Sequence, residues 1–125
     1  MIRGMGTDMV EIARIERVLE RRGDRFAQRV LGASEYQAFI AKNRSPAWLA
    51  KRFAAKEAAS KALGTGIGTV SWRDIEIIND QRGAPSLLFH GGGARRMAEL
   101  GAGRAWLSLS DEAGLALAFV VLEGD

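Results

Sequence analysis

An alanine-rich stretch in the middle of the chain, residues 53–65 (FAAKEAASKALGT), constrains the fold more than any other segment. Alanine is the best helix former and Gly64 is a typical stop, so the stretch predicts a helix that ends at this glycine. Ser45 followed by Pro46 is a strong start signal, and the predicted helix therefore runs from residue 46 to Leu63. Because its side chains are small, we expect this helix to pack close to its neighbours.

Two charged residues lie on this alanine surface. Glu57 and Lys61 are one turn apart and therefore share a face of the helix. Glu57 also falls near Phe53, Ala50 and Ala54 at about 100° per residue. A carboxylate among apolar neighbours needs a partner, either a cation or a metal ion. The simplest alternative is a weak ion pair between Glu57 and Lys61 within the helix.

The residues before this helix predict a short strand followed by helices. Residues 2–5 are strand-like, and a break is expected directly after them. Apolar residues then recur with helical spacing, so the first helix is expected to begin near Met9 or Val10. Thr7 or Asp8 would cap it, and capping alone would explain an aspartate at this position.

The remaining elements predict a single α+β domain. Ser34 with Gln37 three residues later is a capping-box pattern that opens a further helix. A helix is also expected after the glycines at 91–93, and strands are expected at residues 75–78, 86–89, 106–109 and 115–122, with a turn at 111–114. Helices first and strands second predict one domain over residues 1–125, with a helical N-terminal half packed on a mostly antiparallel sheet.

The composition excludes several kinds of site. The 125 residues contain no cysteine, which rules out disulfides and thiolate metal sites, and His90 is the single histidine. A metal would therefore be bound by oxygen ligands, which favours magnesium, calcium or manganese. No apolar run reaches the roughly 18 residues that a membrane span needs, and residues 1–6 lack the pattern of a secretory signal. We expect a cytoplasmic protein without membrane contact.

Positive charge is concentrated near the N-terminus. The net charge is +3, but six arginines lie between residues 14 and 29. Arg14, Arg17 and Arg21 are spaced so that they share one helix face. Such a face is typical of a surface that binds an acidic partner, and the alternative is a solvated face with local Glu–Arg pairs. The three tryptophans are scattered, which argues against single-stranded nucleic acid as the partner.

Two motifs together resemble a known family. Residues 6–12 (GTDMVEI), with 14–16 (RIE) following, and residues 52–66 (RFAAKEAASKALGTG) resemble the two signatures of the holo-acyl-carrier-protein synthases, the small bacterial 4′-phosphopantetheinyl transferases. The spacing of the two motifs, the chain length, residues 79–85 and residues 108–110 also fit. The resemblance covers essentially the whole chain.

The resemblance implies an activity and a metal site. Members of this family transfer phosphopantetheine from coenzyme A to a serine of an acyl carrier protein in fatty acid biosynthesis, release adenosine 3′,5′-bisphosphate, and need a divalent metal, normally Mg²⁺. Asp8 and Glu57 match the metal ligands, and two carboxylates suit magnesium. Lys61 matches the lysine near the pyrophosphate. A metal-bound water or a nearby carboxylate would deprotonate the serine.

The resemblance also implies binding residues. Arg52, Ser60 and Gly64 match positions that line the coenzyme site, and Pro85 matches one near the adenine. The arginines of the first helix match a docking surface for the acidic carrier protein, so Arg14, Arg17 and Arg21 are expected to bind it. Members of this size are typically homotrimers with active sites between protomers.

One position departs from the commonest family pattern. Many members have histidine after Ser-x-Ser, where this chain has Asp111. An ionised aspartate cannot donate a hydrogen bond to phosphate. Asp111 is expected to be a turn residue or to orient Lys61 or Arg52, and an outer-shell carboxylate is the remaining alternative.

Two other functions compete with this one. A non-enzymatic basic domain that binds an acidic protein or nucleic acid would explain the arginines but not the pairing of Asp8 with Glu57. A different magnesium-dependent phosphate-transfer or hydrolysis enzyme is the second rival.

Overall fold

The computed structural model describes all 125 residues as five helices and two antiparallel sheets. In chain order the elements are β1 (Ile2–Glu11), α1 (Ile12–Arg22), α2 (Asp24–Val30), α3 (Ala33–Ala41), α4 (Pro46–Ala62), β2 (Ile75–Asn79), β3 (Pro85–Phe89), α5 (Gly91–Glu99), β4 (Arg104–Glu112) and β5 (Leu115–Glu123), with a short 3-10 helix at Trp72–Asp74. The predicted α+β class is confirmed. None of the five helices has both the length and the apolarity that crossing a bilayer requires.

The larger sheet has the strand order β1-β5-β4, and β2 pairs with β3 in a separate hairpin. Every second residue of β5 is buried, from Ala116 to Leu122, because this face of the sheet packs on α4. The helix begins with Ser45, whose hydroxyl accepts a hydrogen bond from the Trp48 amide at 3.2 Å, and it ends at Ala62. The predicted start and end of this helix are therefore confirmed to within one residue.

β1 lies unusually close to α4 because both surfaces lack bulk. A Cβ atom on Gly4 would come within 2.1 Å of the carbonyl oxygen of Ala62, and one on Gly6 within 2.1 Å of that of Ala58. Only glycine fits at these two positions without moving the strand or the helix. The close packing that the alanines predicted is thus confirmed, and it places β1 residues directly against the helix.

The predicted break after the first strand is wrong. β1 continues to Glu11, and α1 begins at Ile12 instead of near Met9 or Val10. The strand continues because β5 supplies backbone hydrogen bonds along its whole length, with Asp8 opposite Ala118. Neither Thr7 nor Asp8 caps α1, so capping does not account for Asp8.

The predicted capping box of α3 is also wrong in its residues. Gly32 is the cap, and the Glu35 carboxylate accepts a hydrogen bond from the Gly32 amide at 2.9 Å. Ser34 lies inside the helix and donates to Glu76 instead, so it does not pair with Gln37. Glu35 makes the capping interaction because its buried carboxylate is also held by hydrogen bonds from Lys56 and from the Ile77 amide.

The last turn is tighter than predicted. β4 extends through Asp111 and Glu112, and only Ala113 and Gly114 make the turn into β5. Both have positive φ, of 53° and 78°, as a two-residue hairpin turn requires. Asp111 is therefore a strand residue.

Candidate active site

Asp8 and Lys61 meet where β1 crosses α4. Asp8 lies on the partly buried side of β1, and its Oδ1 is 3.2 Å from Lys61 Nζ. Lys61 also donates a hydrogen bond to the carbonyl oxygen of Thr7 at 3.0 Å. The Asp8 side chain is 17% exposed and that of Lys61 is 52% exposed, so the pair presents its ammonium group to solvent.

Glu57 lies one turn before Lys61 on α4 and is half-buried. Burial raises the pKa of the Glu57 carboxyl above its ordinary value of 4.5, and the nearby Asp8 carboxylate raises it further. The positive charges of Lys61 and Arg14 oppose this rise. Lys61 forms its ion pair with Asp8, so the intrahelical pair with Glu57 considered from the sequence is not formed.

Asp8 and Glu57 are the two carboxylates here that could hold a divalent metal ion. The Asp8 carboxylate repels that of Glu57, and a divalent cation bound to both would relieve this repulsion. No group of three or more carboxylate or histidine side chains surrounds them. Two carboxylates suit Mg²⁺, which keeps several waters and binds substrate phosphates, better than an ion that needs a closed protein cage.

An open groove of about 620 Å³ adjoins the ion pair of Asp8 and Lys61, and Glu57 does not line it. Asp8 and Lys61 line it together with Ser108 and Ser110 of β4 and Phe119 of β5. The groove therefore has a charged part at the carboxylate and lysine and a neutral part along the sheet.

Arg52 and Pro85 line a second cavity, of about 520 Å³. Arg52 is only 8% exposed, donates from Nη2 to Asn79 Oδ1 at 2.6 Å, and stacks on Trp48 with its guanidinium carbon 4.5 Å from the ring centre. Its Nη1 is buried and has no hydrogen-bond partner. Burial lowers the pKa of Arg52, and the Glu35 carboxylate partly offsets that effect.

Ser60 and Gly64 line neither of these cavities. The Ser60 side chain is fully buried, and its hydroxyl donates to the backbone carbonyl oxygen of Glu57 at 2.7 Å. Gly64 is exposed and has a φ of 76°, in the turn that ends α4. In this arrangement Ser60 supports the backbone that carries Glu57, and Gly64 shapes the end of the helix.

The three arginines proposed for partner binding are all exposed on α1. Arg14, Arg17 and Arg21 follow each other along the helix, which starts directly after β1. Arg14 is close enough to Glu57 for its charge to lower the pKa of that carboxyl. The basic surface therefore begins beside the two carboxylates.

Asp111 does not orient Lys61 or Arg52 as expected. Its Oδ1 lies 3.4 Å from Lys51 Nζ, and it faces the second cavity from β4. Sequence reasoning missed Lys51 and Asn79, which line the same cavity. The position of Lys51 next to Arg52 was the one available signal, because adjacent residues on a helix can reach the same cavity from different sides.

Comparison with known proteins identifies the family of this chain. Residues 4–120 match the profile of the 4′-phosphopantetheinyl transferase superfamily. A holo-[acyl-carrier-protein] synthase of Halorhodospira halophila is 56% identical over 123 residues, which is 98% of both chains.

Solved structures extend the match to the fold. The crystal structure of holo-[acyl-carrier-protein] synthase from Neisseria meningitidis superposes with a TM-score of 0.91 at 45% identity, covering 98% of this chain and 99% of that one. The Helicobacter pylori enzyme in complex with coenzyme A gives 0.84 at 35% identity, covering 95% and 99%. This chain therefore belongs to the 4′-phosphopantetheinyl transferase superfamily.

Proposed function

We propose that this chain is a holo-[acyl-carrier-protein] synthase. It transfers 4′-phosphopantetheine from coenzyme A to a serine of an apo-acyl carrier protein for fatty acid biosynthesis and releases adenosine 3′,5′-bisphosphate. The observation that carries the proposal is the ion pair of Asp8 and Lys61 at an open groove, with Glu57 near enough for both charges to shift its pKa, in a chain whose relatives of this name match it end to end. A basic docking domain without enzymatic activity would not need this pair of carboxylates.

Asp8, Glu57 and Lys61 have different roles in this reaction. A nearby carboxylate or a water takes the proton of the serine hydroxyl as its oxygen attacks the phosphorus that carries pantetheine, and the bond from that phosphorus to the oxygen of the adenosine-bearing phosphate breaks. Lys61 holds a positive charge where the leaving phosphate gains negative charge, which lowers the barrier electrostatically. Asp8 and Glu57 would hold Mg²⁺, which when bound offsets the charge of the pyrophosphate. Asp8 also fixes the position of the Lys61 ammonium.

The coenzyme extends from this centre. Arg52 of α4 and Pro85 of β3 line the second cavity, and we assign them to the adenosine end of the coenzyme. Ser60 and Gly64 would act through the backbone of α4 and its turn, since neither lines a cavity in this arrangement. Both substrates are cytoplasmic molecules in bacteria, so a cytoplasmic location is part of this proposal.

The acidic carrier protein would dock on α1. Arg14, Arg17 and Arg21 form an exposed basic surface, and Arg14 lies close enough to Glu57 to affect its pKa. A carrier bound there would have its serine near the carboxylates, and long-range attraction would raise its association rate.

A homotrimer would cover the outer face of the larger sheet. The side of this sheet that points away from α4 exposes five large apolar side chains: Met5, Met9, Trp106, Leu117 and Phe119. A contiguous exposed surface of this kind is typical of an interaction site. The groove beside Asp8 is lined by Phe119 and Leu117 of the same face, so a second copy would border the active site. Size-exclusion chromatography with light scattering tests this, and a monomer at micromolar concentration would contradict it.

Mass spectrometry of an apo-carrier protein incubated with the enzyme, coenzyme A and Mg²⁺ tests the activity. The carrier is expected to gain the mass of one phosphopantetheine. Glu57→Gln keeps the size of the side chain but removes its charge, and the gain should be lost. Glu16→Gln, which removes an exposed carboxylate of α1, is the matched control and should retain transfer. No mass gain on any carrier protein with the wild-type enzyme would contradict the proposed function.

A further inference from the structure

The cavity that contains Arg52 is built to attract an anion, yet it also holds a carboxylate. We name it the arginine cavity. Its lining includes Lys42, Lys51, Arg52, Asn79, Pro85 and Asp111. Three of these side chains are cationic, and Asp111 is the one acid that lines the cavity. The balance favours a negatively charged occupant.

Arg52 supplies the strongest sign of such an occupant. Asn79 accepts a hydrogen bond from its Nη2, and Trp48 covers its plane, so the guanidinium is held in one position. Its Nη1 is nevertheless buried without a partner, although an unsatisfied donor of this kind is costly. A phosphate oxygen would satisfy it after a small movement of the side chains that cover Nη1, and a fixed guanidinium suits phosphate geometry.

The Asp111 carboxylate would repel a negatively charged occupant. Its Oδ1 lies 3.4 Å from Lys51 Nζ, and the two side chains are 44% and 33% exposed, so the pair is accessible from the cavity. Asp111 thereby neutralises one of the three cations. A phosphate group entering the cavity would meet the repulsion of this carboxylate and would have to take Lys51 from it.

We propose that Asp111 is an affinity-limiting residue of the arginine cavity, which competes with phosphate for Lys51 and so weakens the binding of phosphate-bearing ligands. The inference rests on the proposed function in one respect, namely that the physiological ligands are coenzyme A and adenosine 3′,5′-bisphosphate. Its consequence there is faster release of the bisphosphate product, because an internal carboxylate replaces the departing phosphate on Lys51.

Titration calorimetry with adenosine 3′,5′-bisphosphate tests the proposal. Asp111→Asn keeps the shape of the side chain and removes its charge, and we expect the dissociation constant to fall about two- to fivefold, as for a partly exposed charge pair. The direction is informative, since mere damage to the cavity would weaken binding. Glu112→Gln changes the charge equally at the next residue, which does not line the cavity, and should leave the constant unchanged.

A second pair of variants tests the route through Lys51. In a Lys51→Met background, Asp111→Asn should give a smaller gain in affinity than in the wild-type background, because the competition for Lys51 has been removed and only the repulsion by the carboxylate is left. The proposal would be overturned if Asp111→Asn gave the same gain in affinity in the Lys51→Met background as in the wild type. It would also be overturned if Glu112→Gln gave an equal gain, or if Asp111→Asn alone gave none. The transfer assay is run separately. Tighter binding by Asp111→Asn without any transfer by the wild type would support this inference and contradict the proposed function. Transfer by the wild type without tighter binding by Asp111→Asn would support the proposed function and contradict this inference.

Discussion

The buried ion pair between Lys56 and Glu35 should be among the most sensitive points of the fold. The Lys56 side chain has no exposed surface, and its ammonium donates to Glu35 Oε1 at 2.7 Å and to the carbonyl oxygens of Val30 at 2.7 Å and Trp72 at 3.1 Å. The second oxygen of Glu35 accepts from the Ile77 amide at 3.0 Å. One lysine thus joins α2, α3, α4 and the segment before β2.

Replacing Lys56 with methionine keeps the apolar stem but leaves a buried carboxylate without its cation. Loss of one partner of a buried pair typically costs about 3–5 kcal/mol. The two carbonyl oxygens also lose their charged donor, which places the expected loss at the upper end of that range. A domain of this size has a free energy of unfolding of about 5–15 kcal/mol, so the variant should lose roughly a third of its stability or more.

Urea unfolding followed by tryptophan fluorescence measures this loss, and Trp72 next to Lys56 serves as the reporter. Lys61→Met removes the partly exposed ion pair on the same helix and should cost less than about 1 kcal/mol. Adding Glu35→Gln to Lys56→Met should recover part of the stability, because no buried charge is then unpaired. A loss below about 1 kcal/mol for Lys56→Met, or no recovery in the double variant, would refute the reasoning.

Three further predictions concern the site itself. Gly6→Ala should destabilise the protein by about 1–3 kcal/mol and weaken Mg²⁺ binding, since the new Cβ would lie 2.1 Å from the Ala58 carbonyl oxygen; thermal unfolding and metal titration measure both effects. Without metal, Glu57→Gln should stabilise the protein at pH 7, because the raised folded-state pKa means that wild-type stability is lost as pH rises above 4.5; the difference between the two proteins should vanish below that pH. Charge reversal of Arg14 and Arg21 should slow carrier-protein association in stopped-flow measurements at low salt, and the effect should fade at high salt; a salt-independent effect would exclude steering.

Local signals in the sequence predicted α4 well. Ser45 and Pro46 start the helix and Gly64 follows its end, because capping and helix propensity depend on near neighbours alone. The length of β1 could not be predicted in this way. Gly6 resembles a strand breaker locally, but in the fold it allows contact with Ala58 while β5 supplies hydrogen bonds to the strand.

Contacts between distant residues were beyond the sequence pattern. Lys61 and Asp8 are 53 residues apart, and only the family resemblance indicated that they act together. The partner of Asp111 was missed because its position was interpreted as a turn, whereas pairing of β4 with β5 turns its side chain toward Lys51. Lys56 was not singled out at all, since lysine is almost never fully buried unless it is paired.

α4 gives the two halves of the site a fixed separation. Arg52 and Lys56 lie on one row of the helix at four-residue spacing, and Glu57 and Lys61 lie on the next row. At 1.5 Å per residue, the nine residues from 52 to 61 span about 13 Å along the axis. The packing of β1 on the alanines resists bending of the helix, so the axial distance between Arg52 and Lys61 is a fixed feature of the fold.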